Sequence, residues 1–197
     1  MSATVRRIAC GLLLAIGVPA AAAPSLDWRK VATQDDRARL RGWRGAWMDA
    51  VAAIRRAGQG GRLAADPALF DADRSLADAS LPAGRYRCRS YRLGAARAEF
   101  IVRDWVDCRV STDGVAAQFE TTGMTRVAGR LFAHTDARKI FLGTLALGDE
   151  PRPMRYGRDT RRNMAGVVER IGARRWRIAL PYPGLGATLD LIEVDGR

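Results

Sequence analysis

The sequence predicts a mainly β protein with an N-terminal helix, in which eight antiparallel strands close into an up-and-down barrel. Three observations predict it. Composition changes near residue 80, from Ala-rich, helix-forming sequence to β-branched and aromatic residues recurring with period two. Eight such runs follow, separated by breaks holding Gly, Asp, Asn or Pro. Most breaks are too short for crossover helices, so neighbours pair antiparallel, and closure removes the edges an open sheet would expose. A two-sheet sandwich is the alternative.

At the N-terminus, Arg6 and Arg7 precede the apolar run "IACGLLLAIGV", too short to span a bilayer, and then "PAAAAPS". This is the pattern of a signal peptide over 1–23, cleaved after Ala23. Cys10 stands before most of the apolar run, which argues against a lipid anchor. The expectation is an exported chain, periplasmic or extracellular and not membrane-spanning. A helical extension over 24–80 packs on a barrel domain over 81–197.

Residues 33–57 read as the clearest helix. Thr33 caps it, with Asp36 three positions later and Asp35 placed for the helix dipole. Leu40, Trp43, Trp47, Ala50, Val51 and Ile54 fall on one face and predict packing against the main domain, with a ligand platform as the rarer use of such a stripe. Gly58, Gly60 and Gly61 end it. Asp66 and Pro67 then mark a short turn or helix. The aspartates at 66, 71, 73 and 78 lack the spacing of a calcium loop.

The eight strands are expected at 84–91, 100–110, 115–121, 125–134, 139–147, 166–171, 176–181 and 189–194, giving a calycin-like barrel. The first carries "GRYRCRS" and the second "DCRV". Cys88 and Cys108 each lie on an apolar strand face, and they are the only cysteines left once residues 1–23 are removed. In an oxidising compartment this pair predicts a structural disulfide, closing a loop worth about 3 kcal/mol. No C-x-x-C is present, and one histidine cannot complete a zinc site, so no metal and no cofactor are expected.

The formal charge is +12, and about +10 once Arg6 and Arg7 are removed. Arginine supplies nearly all of it, since Lys30 and Lys139 are the only lysines. Export makes nucleic acid an improbable partner and leaves anionic envelope components or an acidic protein. The segment 150–163 is the longest polar connection. Its Arg155, Tyr156, Arg158, Arg161 and Arg162 are the candidate partner-binding residues, weighed against a plain solvated loop.

Catalytic chemistry finds little support. There is no G-x-S-x-G, no phosphate loop and no dinucleotide fingerprint. His134, beside Thr135 and Asp136, reads as a polar turn. Asp104 and Glu169, if both face inward, could form an acid/base pair of a glycan hydrolase, or could pair with arginines. No catalytic residue is assigned.

The motifs "DWRKVATQDDRARLRGWRGAW", "GRYRCR", "FLGTLALGDE", "MRYGRD", "GVVERIG" with "RWRIALPYP", and "LDLIEV" together resemble a bacterial domain-of-unknown-function family of small exported proteins. The resemblance runs from about residue 27 to 194 and implies no activity and no catalytic residues. One departure is the stretch 93–107, which lacks a Gly/Pro-rich loop. The function expected is non-enzymatic: a monomeric barrel binding a small molecule or an envelope protein. The alternatives are an interaction protein acting through its basic surface and a carboxylate-dependent hydrolase.

Overall fold

Period-two burial sets the architecture. In β1 (Gly84–Leu93), Tyr86 and Cys88 are buried while Arg85 is exposed. The same alternation marks β3 (Val106–Thr112) and β4 (Ala117–Thr121). β5 (Thr125–Thr135), β6 (Arg138–Leu147), β7 (Asn163–Gly172), β8 (Arg175–Pro181) and β9 (Leu189–Asp195) follow. The computed structural model describes residues 26–94, 100–114, 116–148, 150–184 and 186–196. The signal-peptide expectation over 1–23 lies outside them.

Sequential strands pair antiparallel, and β9 pairs back onto β1 from Arg87–Asp195 to Leu93–Leu189. The closed eight-stranded barrel is therefore present, and the sandwich is not. The second expected strand differs in detail. It divides into β2 (Phe100–Val102) and β3, both paired to β1, with residues 103–105 outside either strand. Seven-residue β3 holds one half of β1 and short β2 holds the other, so the barrel wall bends there without losing its partner.

The interior is filled. Tyr86 packs edge-on to Trp176 and Phe119 edge-on to Phe141, each with ring centroids 5.9 Å apart. Val110, Leu131, Val168, Ile178 and Ile192 pack with them in one core cluster. Leu81 closes the end where β1 begins; at the other end Arg92 and Asp190 pair through two hydrogen bonds of 3.1 and 3.0 Å. Gly129 and Gly143 face each other across β5 and β6, and a side-chain carbon at Gly129 would come within 2.3 Å of the Leu142 carbonyl oxygen. Only glycine permits that approach, which bends the sheet tightly around the rings.

Helices cover the outside of β6 to β9 and β1. They are α1 (Trp28–Val31), α2 (Gln34–Arg41), α3 (Trp43–Arg56), α4 (Gly60–Ala64) and α5 (Pro67–Phe70). The single helix expected over 33–57 is broken at Gly42, which ends α2 and caps α3. The break has a packing reason. Leu40 packs with Ile140, Leu142 and Val167, whereas Trp47, Val51 and Ile54 pack with Leu93, Ala179 and Leu191. One straight rod could not follow the curved wall from the first patch to the second. The predicted stripe is otherwise intact, with Trp43 half-buried at the junction and Trp47 buried. Thr33 and Asp66 cap α2 and α5, with Pro67 at the first position of α5, and Gly58 adopts a left-handed φ of 73° just beyond α3.

Cys88 and Cys108 sit diagonally across β1 and β3, their Cα atoms 5.8 Å apart and their sulfurs at bonding distance. Both lie within the barrel core. Thiol titration of the denatured, unreduced chain from residue 24 onward should find no free thiol. Replacing both cysteines with alanine should lower stability by about 3 kcal/mol in the loop-entropy estimate. Two titratable thiols would show that the chain folds without the bond.

Candidate functional site

Alternating strands that are buried on both faces bring charged side chains under the helices. Arg177 on β8 is fully buried, and its Nε and Nη2 donate to Glu169 Oε2 at 2.9 and 2.7 Å. Its Nη1 donates to the Leu69 and Asp71 carbonyls at 2.9 and 2.6 Å, and Nη2 to the Arg74 carbonyl at 2.9 Å. The guanidinium also lies 4.5 Å from the Trp47 ring centroid. Burial pulls its pKa below the usual range, and the Glu169 carboxylate opposes that pull. Glu169 Oε1 accepts from Arg138 Nε at 2.9 Å. Every polar atom of this pair thus has a partner, the condition under which buried charge is tolerated.

Glu169 thus pairs with arginines, one of the two uses open to it from sequence, but its expected inward position beside Asp104 is corrected. Glu169 lies on the outer barrel face under the helices, while Asp104 is exposed between β2 and β3. Alternation could not tell inside from outside in β7, because both of its faces are apolar and buried. The two carboxylates form no acid/base site. Asp66 and Asp73 are held by Arg175 and Arg44. Among the described residues no group of three or more metal-ligating side chains comes together.

A second buried carboxylate anchors the basic segment. Asp36 on α2 is fully buried and takes hydrogen bonds from Thr33 Oγ1 (2.8 Å), Asn163 Nδ2 (3.0 Å), Arg39 and the Tyr156 hydroxyl. The Tyr156 hydroxyl also accepts from the Thr33 amide at 3.1 Å. Burial, with the Asp36 carboxylate beside it, pushes the Tyr156 phenol up to about 12. Tyr156 therefore acts first as a tether. Arg162 is paired with Glu150 and, at 3.7 Å, with Asp159, and Arg161 lies 3.3 Å from Asp159. Arg155 and Arg158 are exposed. The five candidate residues thus divide into a tether, two arginines with acid partners and two solvent-facing arginines.

Beside this segment runs a groove of about 720 Å³ against the outer face of β4, β5 and β6. Its floor includes Phe132 and Leu142, its loop wall Pro153, Met154 and Tyr156, and its charged groups Arg130, Arg152, Arg155 and Glu120, the last paired with Arg109. Arg130 is 3.4 Å from Asp113. The sequence reading found the loop wall but not the sheet wall, because Arg130 carries no local signal that it faces residues 152–156. A second groove gathers Arg29, Arg37, Arg41 and Arg138 around His134. Sequence alone places these five in three separate stretches.

The family model for the domain of unknown function DUF4893 matches residues 28–194, and the chain belongs to that family. No curated protein and no solved structure matches it.

Glu169→Gln leaves the Arg177 charge buried beside a neutral amide. It should cost about 3–5 kcal/mol in denaturant unfolding, as breaking one side of a buried pair does. A loss below about 1 kcal/mol would mean that the backbone carbonyls alone satisfy the guanidinium.

Proposed function

We propose that this DUF4893 member is an exported, non-enzymatic binding module whose ligand is an acidic segment of an envelope protein, held on the outside of the barrel. The observation that carries this reading is the filled interior set beside the groove under residues 152–156. Rings of Tyr86, Phe119, Phe141 and Trp176 occupy the space where a barrel of this kind would hold a small molecule. The groove outside offers what an extended acidic peptide needs. Its apolar floor buries one or two side chains, and Arg152 and Arg155 supply charge with no carboxylate paired to either among the described residues. The Tyr156 tether holds the loop wall in place, so binding costs little loop ordering.

Export is supported by the basic and apolar pattern of residues 1–23 and by a disulfide in the barrel core. N-terminal sequencing of the protein recovered outside the cytoplasm should begin at Pro24. A mature chain that keeps Met1 would remove export from the reading.

A labelled Asp/Glu-rich decapeptide with one central Leu should bind the protein in an anisotropy titration. Affinity should fall steeply with salt, because exposed charge contacts are screened over about 10 Å at 0.1 M. The variant with Arg152→Glu and Arg155→Glu should lose the binding while keeping its unfolding midpoint. Equal binding by wild type and variant would sink the groove as the site.

A further inference from the structure

We infer that the groove between α1, α2 and the β5–β6 hairpin is a binding site for a phosphoryl group. Four arginines line it, Arg29, Arg37, Arg41 and Arg138, together with His134, and no acidic side chain does. Four other grooves each place at least one carboxylate among their lining residues: Asp71 and Asp73, Glu120, Asp107 with Glu120, and Asp104. The volume is about 470 Å³, room for a phosphoryl group with part of the body that carries it.

Three of the four cations, Arg29, Arg37 and Arg138, are held by contacts of their own. The Arg29 guanidinium lies 4.6 Å from the Trp28 ring centroid, and that of Arg138 lies 5.1 Å from the Trp43 ring centroid. Arg37 Nη1 donates to the Arg29 and Ala32 carbonyls at 2.9 and 2.6 Å. Arg29 is 3.7 Å from Asp27, and Arg138 is paired with Glu169, whereas Arg37 and Arg41 have no carboxylate partner among the described residues. Trp28 is only 7% exposed, and its indole N–H has no acceptor among the described residues. A planar carboxylate is satisfied by one arginine fork. Guanidiniums arriving from α1, α2 and β6 suit a tetrahedral dianion with more acceptor oxygens.

His134 is presented by a defect in the ladder. Ala133 pairs with Lys139 and Thr135 with Arg138, so His134 is the extra residue of a β-bulge. Its ring stands edge-on to Trp28, centroids 5.6 Å apart. The charged groups around it are Arg29 on α1, Arg37 and Arg41 on α2, and Arg138 on β6, with Asp136 in the turn that follows. His134 is exposed at the surface, and partial desolvation, then Arg29 and Arg138, hold its pKa below the ordinary value. The imidazole is therefore mainly neutral at pH 7. A bound anion favours the protonated ring, so binding raises the imidazole pKa.

His134 is the single histidine of the chain, so its ring proton resonances report this groove without assignment. The midpoint of the NMR pH titration should lie below about 6.5 in chloride and rise on adding inorganic phosphate at constant ionic strength. The variant with Arg29→Gln and Arg41→Gln should show a higher midpoint in chloride and little further rise with phosphate. Both side chains are exposed, so the variant should give the wild-type circular dichroism spectrum. Parallel samples carry phosphatidylcholine vesicles with and without phosphatidic acid, scored by co-sedimentation. A response to free phosphate assigns a soluble ligand, and one confined to the phosphatidic acid vesicles assigns a lipid headgroup. Equal shifts with chloride and phosphate and no vesicle binding, or a full phosphate response in the variant, overturn the inference. The acidic-peptide groove draws its charge from Arg130, Arg152 and Arg155, so the peptide titration tests it separately.

Discussion

The Arg177–Glu169 pair is the constraint on which the rest of the molecule is arranged. A guanidinium and a carboxylate with no exposure are tolerable only if every donor and acceptor is used. Glu169 and Arg177 face each other across β7 and β8, which fixes that register chemically as well as by hydrogen bonding. The remaining donors reach the carbonyls of Leu69 in α5 and of Asp71 and Arg74 just beyond it, which pins that stretch to the barrel wall. Trp47 closes over the guanidinium and donates its indole N–H to the Phe70 carbonyl at 3.2 Å. One arginine thus joins the barrel wall, the chain after α5 and the central turn of α3. Hydrophobic burial favours helices on the wall in general, while this pair selects one placement of them.

The barrel interior shows the same demand for close fit without charge. Gly129 and Gly143 let β5 and β6 approach closely, and Phe119 and Phe141 fill the space beside them. The disulfide between β1 and β3 lies in the same core, near the break that separates β2 from β3. A cross-link there holds the wall where the second strand is discontinuous. With the interior occupied and β6 to β9 under helices, the recognition surfaces left are the polar outer wall of β3, β4 and β5 and the seams where helices meet it. Both grooves discussed above lie on such seams.

Much of this was legible in the sequence where a single local rule operated. The eight strands, the Leu40 to Ile54 stripe, the caps at Thr33 and Asp66 and the cysteine pair each follow from spacing or from a residue's own chemistry. The failures have a common origin in residues that serve two surfaces. β7 is buried on both faces, so alternation gives Glu169 no side, and the carboxylate went to the wrong one. Trp43 touches both helix patches, which hid the break at Gly42 inside a continuous stripe. Asp36 was legible as the residue three positions after the Thr33 cap, which it does contact, but its role as the anchor for Tyr156 depends on a partner 120 residues away. His134 looked like part of a polar turn because a bulge cannot be read from one strand without its neighbour.

The two grooves share a border. Val31 of α1 lines the groove beside residues 152–156, while Trp28 and Arg29 of the same helix line the cationic groove. Asp36 stands behind that border, holding Tyr156 of one wall to α2 of the other. Anything that loosens α1 or unpairs Asp36 therefore alters both sites together and says nothing about either. The residues that separate them lie away from that shared base: Arg152 and Arg155 on the loop for one, Arg41 at the end of α2 and His134 in the β5 bulge for the other. A four-residue helix cannot be rigid by its own hydrogen bonds. α1 keeps its place because Trp28 packs against Phe132 and Ile140 and because Arg37 takes two of its terminal carbonyl groups. The side chains that position this border also present its charge, so an anion bound between Arg29 and Arg37 bears on the same contacts that fix Val31 in the neighbouring groove.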